Sequence, residues 1–295
     1  MPQNITKTIT AMRPHQWVKN VLLLAPMILA HKPLDANTVV SVVAAVAAFS
    51  LCASSGYVVN DLLDREADRS HPQKRHRPFA CGDLNTRFGI GFAVLLLICS
   101  LVLALIFVSF WFAAMLIGYL LMTTAYSLYL KQVLMIDVLM LGGFYTYRVL
   151  AGAVAASVPV SPWLAAFSMF FFLSLAFVKR YTELSLMQRN SGEKLVRRGY
   201  YVEDLPMIRV LGPSAGYLSV LVLALYISSS DVVVLYPHPH WLWLVCLCLL
   251  YWLTRVWFLA HRERLSHDPV LFAVRDPVSY AVGLVAVMLV VLASI

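Results

Sequence analysis

Three aspartates, Asp61, Asp64 and Asp68, stand at the end of an apolar stretch with the spacing i, i+3, i+7. On a helix this spacing places all three on one face, with the first and last roughly 10 Å apart along the axis. Like charges beside a bilayer are costly unless something positive lies among them. Carboxylates are hard oxygen ligands, and a group that leaves further coordination to water and phosphate suits Mg2+ bridging a diphosphate. The same residues also fit a solvated helix end, with Arg65 and Arg69 as ordinary salt-bridge partners. His71-Pro72 then stops the helix, and Lys74, Arg75, His76 and Arg77 follow before Pro78. Basic residues placed there can hold the non-bridging oxygens of the same phosphate, or serve only as topology signals.

Other polar groups sit near membrane edges. Arg13-Pro14-His15-Gln16-Trp17-Val18-Lys19-Asn20 opens the first apolar run, with Pro14 early in a helix and Trp17 as an interfacial anchor. Lys19 and Asn20 can reach a phosphate, or Lys19 can snorkel to water. Tyr126-Ser127-Leu128-Tyr129-Leu130-Lys131 closes the fourth run, and Asp137 begins the fifth. Arg148 follows Asp137 by three helical turns on the same face. An arginine that deep requires a partner, a backbone carbonyl included, or a water-filled cavity. Lys179-Arg180-Tyr181-Thr182-Glu183 ends the sixth run, where Lys179 and Glu183 are spaced as an i, i+4 pair. Glu203-Asp204, Asp268-Pro269 and Arg275-Asp276-Pro277 are weaker candidates.

The elements that must position these groups are membrane helices. Of 295 residues, 61% are hydrophobic and 13% charged, against about 25% charged in soluble domains, and the mean hydropathy is +0.77. This composition implies an integral membrane protein. Runs long enough to span a bilayer lie near 17–34, 38–60, 87–108, 110–130, 134–156, 162–185, 206–228, 239–260 and 277–294. They predict nine transmembrane helices in an all-α fold, since backbone groups in lipid must be satisfied within helices or closed barrels. Residues 1–16 are polar and lead straight into the first run, so no cleavable signal peptide is expected. Of 23 Lys and Arg, only Lys32 and Arg148 fall outside the N-terminal segment, the connections after the second, fourth, sixth and eighth runs, and the run ends that adjoin them. The N-terminus and those connections are therefore expected in the cytoplasm and the C-terminus outside. The net charge of +8 is gathered on that one face, where it attracts anionic headgroups or a phosphorylated substrate alike. The five cysteines lack metal-ligand spacing and read as packing residues.

The motif Asn60-Asp61-x-x-Asp64-x-x-x-Asp68-Arg69-x-His71-Pro72-x-Lys74-x-x-Arg77-Pro78 resembles the first aspartate-rich motif of the UbiA superfamily of intramembrane prenyltransferases. The resemblance covers nearly the whole chain. It implies a single UbiA-like domain over residues 1–295, a nine-helix bundle with a cytoplasm-facing active-site cavity, and location in the cell (inner) membrane. Members that prenylate aromatic rings carry a second aspartate-rich motif after the sixth span, where this sequence has Lys179-Arg180-Tyr181-Thr182-Glu183. That segment, with Arg13-Pro-x-Gln16-Trp17-x-Lys19-Asn20 and Tyr126-Ser-x-x-Leu-Lys131, resembles the decaprenyl-phosphate phosphoribosyltransferase branch. The resemblance implies transfer of 5-phosphoribose from phosphoribosyl pyrophosphate to a polyprenyl phosphate. It also implies Mg2+ on Asp61, Asp64 and Asp68. Substrate contacts would come from Lys19, Asn20, Asn60, Lys74, Arg77, Tyr126, Lys131, Asp137, Arg148, Lys179, Arg180 and Glu183.

Two other readings compete. A prenyltransferase moving a prenyl group from a prenyl diphosphate to an aromatic or other acceptor would use the same aspartates but needs carboxylates near Glu183 for a second metal. A transporter or flippase would be expected to show internal repeats and polar residues at the midplane, whereas here they cluster at one face. The expected partners are the two phosphorylated substrates and the membrane, with no nucleic acid. Oligomeric state is open, a homo-oligomer included.

Overall fold

The computed structural model describes residues 2–30, 35–70, 74–189, 198–265 and 268–295. Helix α1 (Pro2–Met12) is followed by a 3-10 helix (Pro14–Leu24), α2 (Ala25–Leu29), α3 (Ala36–Leu63) and α4 (Arg65–Ser70). Then come α5 (Thr86–Phe107), α6 (Phe110–Leu128), α7 (Ile136–Ala155) and α8 (Pro162–Arg189). The chain ends with α9 (Leu205–Ile227), α10 (Ser230–Leu235), α11 (Leu242–His261), α12 (Pro269–Ala273) and α13 (Pro277–Ser294). No strand occurs among the described residues. Eight helices are long and apolar enough to cross a membrane: α3, α5, α6, α7, α8, α9, α11 and α13, with α9 and α11 taken together with the short 3-10 turns before them.

The expected first span, 17–34, takes another form. Its described part is the 3-10 helix and the short α2, and residues 31–34 lie outside the described residues. Runs of 3-10 helix beyond three or four residues are uncommon, and this one has eleven. Its tighter cross-section suits the close approach it makes: a Cβ at Gly152 would collide with the Leu23 backbone.

Contacts divide the chain into two compact units, Met1–Leu130 with Tyr147–Val160 and Lys131–Thr146 with Ser161–Ile295. Helix α7 gives its first half to the second unit and its second half to the first.

In the first unit α3 is the central helix. Asp35 caps it, accepting from Thr38 N–H, and its buried face is rich in Ala, Ser and Cys. Small residues let membrane helices approach closely and bond across the gap. Ser55 Oγ donates to Ala93 O at 2.8 Å, and Ser100 Oγ to Ala48 O at 2.7 Å, joining α3 to α5. Ala11, Val58, Phe79, Leu84 and Ala93 form an apolar core beneath the aspartate segment. Gly89 leaves room for the Phe79 ring in that core.

In the second unit α8 and α9 pack through the same device. Ser174 Oγ donates to Gly212 O at 2.8 Å and accepts from Trp257 Nε1 at 3.1 Å. Any side chain at Gly212 would run into the Trp257 ring. Asp276 caps α13, accepting from Ser279 N–H, and also takes both terminal nitrogens of Arg255 at 2.7 and 2.9 Å.

Candidate active site

The aspartate face spans a bend. Helix α3 ends at Leu63, and Asp64 follows at φ −90°, ψ 5° before α4 begins. Helical hydrogen bonds nevertheless continue across it, from Asp64 N–H to Asn60 O at 2.9 Å and from Asp68 N–H to Asp64 O at 2.8 Å. Asp61 and Asp68 are therefore kept on one side, both buried, while Asp64 is half-buried. Arg77 Nη1 donates to Asp61 Oδ1 at 3.0 Å and to Asp68 Oδ2 at 2.7 Å. Arg13 Nη2 donates to Asp61 Oδ1 at 2.5 Å, and its guanidinium lies 5.2 Å from the Tyr57 ring centroid.

The arginines that meet the acids are not the neighbours in sequence. Arg65 Nη1 donates to Thr86 Oγ1 at 2.8 Å and Arg69 Nε to Ala80 O at 3.0 Å. Arg69 thus ties the turn after Arg77 back onto α4, where buried Phe79 also anchors it, and Arg65 ties the start of α5 to α4. Arg13 reaches Asp61 from a left-handed backbone (φ 53°) between α1 and the 3-10 helix. Trp17 Nε1 donates to Ser54 Oγ, and Ser54 Oγ to Met12 O, each at 2.9 Å, fixing that corner against α3.

The donor set fits Mg2+. Two carboxylates already converge on a single positive atom. Mg2+ is usually held by one or two carboxylates, with water and substrate phosphates completing its octahedron. Among the described residues no three His, Cys, Asp or Glu stand together as metal ligands. A site completed by the substrate does not require three.

A second polar group lies elsewhere in the first unit. Arg148 Nε donates to Asn20 Oδ1 at 2.9 Å and its Nη2 to Tyr119 OH at 2.6 Å. Asn20 Nδ2 in turn donates to Ser50 Oγ at 2.9 Å. The guanidinium also lies 5.2 Å from the centroid of the Phe49 ring and 5.0 Å from that of Tyr119. Arg148 and Asn20 are both buried, so the requirement for partners is met by neutral groups and aromatic faces. Lys19 and Tyr126 are half-buried in this unit, as is Asn60.

The second unit holds its own cluster. Asp137, fully buried in the first turn of α7, meets Arg180 Nε at 2.6 Å on Oδ2 and Arg198 Nη1 at 2.8 Å on Oδ1. Arg180 is itself fully buried and pairs on its other side with Glu183. Its Nη2 is buried with no hydrogen bond among the described residues, and its Nε and Asp137 Oδ2 face each other as an ion pair without hydrogen-bond geometry. A buried, unmet donor is costly, and an anionic or water oxygen is what such a nitrogen accommodates. Arg198 reaches Asp137 because Gly199 lies against the Gln132 and Leu134 backbone, where a Cβ would not fit. Tyr200 OH accepts from Met135 N–H at 3.3 Å. Burial, with the Asp137 charge adding to it, pushes the Tyr200 phenol up to about 12, so it stays a neutral hydroxyl. Lys131 is buried in the turn before α7, and Lys179 is half-buried beside Arg180. The Lys74 side chain, with His71 and Pro72, lies outside the described residues.

The spacing of the aspartates found the first cluster, and the segment around Arg180 found the second. The partnership of Arg13 with Asp61 and of Arg198 with Asp137 was missed. Only Gly199, next to Arg198, hinted that this loop runs against another backbone.

The UbiA prenyltransferase family model matches residues 21–275. Nodulation protein NoeC from Azorhizobium caulinodans is 35% identical over 94% of this chain and 92% of its own length. The uncharacterized protein y4nM from Sinorhizobium fredii is 35% identical over 93% of this chain, which spans about half (53%) of that relative's length. The decaprenyl-phosphate phosphoribosyltransferase of Mycolicibacterium smegmatis is 36% identical over 65% of this chain and 62% of its own. Among solved structures, a UbiA homolog from Archaeoglobus fulgidus bound to GPP and Mg2+ superposes with a TM-score of 0.70 at 13% identity, covering 97% of both chains. That likeness is one of fold.

Proposed function

The chain belongs to the UbiA prenyltransferase family, and within it we propose Mg2+-dependent transfer of 5-phosphoribose from phosphoribosyl pyrophosphate to a polyprenyl phosphate. We place this activity in one UbiA-like domain over residues 1–295 of the cell membrane, with the N-terminus and the active-site cavity cytoplasmic and the C-terminus outside. In this arrangement the 17–34 segment acts as the ninth span.

The observation that carries the reading is Arg180. It is fully buried, gripped by Asp137 and Glu183, and two of its nitrogens, Nε and Nη2, make no hydrogen bond among the described residues, Nε meeting Asp137 as an ion pair alone. A second metal centre at this place would need acids where the chain has a fixed cation. A fixed guanidinium suits instead a substrate bearing a phosphate beyond the leaving group. The similarity to the mycobacterial phosphoribosyltransferase supports the same branch.

In the proposed reaction the C1–O bond of ribose to pyrophosphate breaks and a C1–O bond to the lipid phosphate forms, through a transition state resembling an oxocarbenium ion. Mg2+ held by Asp61, Asp64 and Asp68 would neutralise charge on the departing pyrophosphate. Asn60 and Arg77 serve that site, with Lys74 assigned to it from its place in the motif, while Lys179 and Arg180 hold a phosphate of the donor or of the lipid. Lys19, Lys131 or Arg148 serves the lipid phosphate, and Asn20 orients Arg148. The acceptor is already an anion, so the step needs no strong general base.

The test supplies purified protein with Mg2+, labelled phosphoribosyl pyrophosphate and a polyprenyl phosphate, and counts label in the organic phase. Mg2+-dependent lipid labelling that Asp64→Asn loses is the expected result. Absence of labelling, together with consumption of a prenyl diphosphate in the presence of an aromatic acceptor, would replace this reading with prenyl transfer.

A further inference from the structure

Resting on the proposal that Asp61 and Asp68 take a divalent ion, we infer that Arg13 and Arg77 are exchangeable counter-cations of that site. A metal then enters it readily only together with a phosphate anion.

The geometry states the competition directly. Arg77 Nη1 stands within hydrogen-bond distance of both carboxylates, at 3.0 and 2.7 Å, the position a bridging cation would take. Asp61 Oδ1 is shared by Arg13 as well. A metal reaching these oxygens must displace two guanidinium nitrogens, each a charge-assisted bond. The site is built for that exchange. The acids are nearly closed off, at 2% and 5% exposure, whereas the Arg13 and Arg77 side chains are 21% and 25% exposed. Their heads can swing toward water while the acids stay in place.

Charge decides when the exchange is favourable. Asp61 and Asp68 with Arg13 and Arg77, whose stems keep them beside the acids even when their heads are displaced, are neutral as a group. A bare divalent ion leaves the group net positive in a partly desolvated place, which is costly. Pyrophosphate arriving with the metal cancels that excess and offers its oxygens to the displaced guanidiniums. Arg13 and Arg77 are thus positioning residues. They keep the acids preformed and make metal affinity depend on the anion. Arg65 and Arg69 take no part, being committed to Thr86 and the Ala80 carbonyl.

The experiment measures Mn2+ binding to the full chain in detergent, from the electron paramagnetic resonance signal of free Mn2+. It is done with and without inorganic pyrophosphate, against a protein-free control for the Mn2+–pyrophosphate complex. Wild type is expected to bind at least about ten-fold more tightly with pyrophosphate, the scale of one charged hydrogen bond. Arg77→Gln and Arg13→Gln are each expected to bind Mn2+ about ten-fold or more tighter than wild type in the absence of pyrophosphate. Arg77→Lys, which keeps the charge, should retain the wild-type pattern. Should Arg77→Gln not fold, Arg13→Gln carries the test, since Arg13 contacts only one of the two acids. Equal Mn2+ affinity in wild type and both variants without pyrophosphate overturns the inference and leaves the metal site standing. If Mn2+ binds none of these proteins under either condition, or binds Asp61→Asn as well as wild type, the metal reading itself falls and the inference with it.

Discussion

Two clusters of acids and arginines, one in each unit, are alike in composition and opposite in burial. Around Asp61 and Asp68 the acids are enclosed and the arginines half-open. Around Asp137 it is Arg180 that is wholly enclosed, with no exposed surface on either member of the pair. The same ion pair therefore serves two ends. A cation with access to water can leave and be solvated, so its bond to a carboxylate is replaceable. A cation sealed in the protein has nowhere to go, because leaving its partner costs several kcal/mol. The first cluster is equipped to exchange its positive charge and the second to keep it. Arg198, 23% exposed on Asp137, is the open arginine of the otherwise closed cluster.

The difference is testable by substitution, and the largest effect belongs to the closed cluster. Asp137→Ala removes the fully buried partner of Arg180, leaving it Glu183 on one side, and is expected to cost about 3 kcal/mol, seen as a large drop in the melting midpoint in detergent or as loss of folded protein. An unchanged midpoint would erase the contrast. Asp61→Asn should do the reverse. Its arginine partners can turn to water, so the midpoint moves little, while the rate in the lipid-labelling assay falls on the order of 100-fold, as when a preorganised charge-stabilising group is lost. A smaller effect sharpens the role of exposure within one cluster. Arg198→Ala removes a half-open partner of the same Asp137 and should cost only about 1 kcal/mol by the same melting measurement.

The smallest effect lies outside both clusters and calibrates them. The paired guanidinium of Arg255 holds the Asp276 carboxyl below its ordinary value, helped by Ser279. Its folded pKa is depressed, so this stabilisation is fully present above the unfolded-state value and is lost as pH falls through the folded one. Wild type and Asp276→Asn should differ by about 1 kcal/mol or less at neutral pH, and the difference should close in the acid range below ordinary carboxylate values. A difference that grows with acidity would reverse the assignment.

Much of this was readable from residue order. The spacing of Asp61, Asp64 and Asp68 put them on one face, and the face survives because helical bonds run through the bend at Asp64. Apolar runs located the eight crossing helices, since length and composition are local properties. The 17–34 run has the length of a span but carries Lys19 and Asn20 within it. Its 3-10 winding accompanies a contact with Gly152, far away in sequence. Lys179 and Glu183 have the spacing of a helix pair, yet Arg180, one residue on, also reaches Glu183. Spacing of three and spacing of four are equally good on a helix, and only packing selects between them.

What the sequence by itself determined is the membrane helices, the gathering of basic residues at one set of connections, and the aspartate face. All of these follow from patterns within one or two helical turns or from composition. What only the tertiary structure decided is which arginine answers which acid. Arg13 and Asp61 are joined across 48 positions, and Arg198 and Asp137 across 61. Nearer arginines, Arg65 and Arg69, were drawn off by a hydroxyl and a carbonyl. Burial was decided at the same level. Whether an ion pair can exchange depends on how much of each partner water still reaches, and no local pattern encodes that.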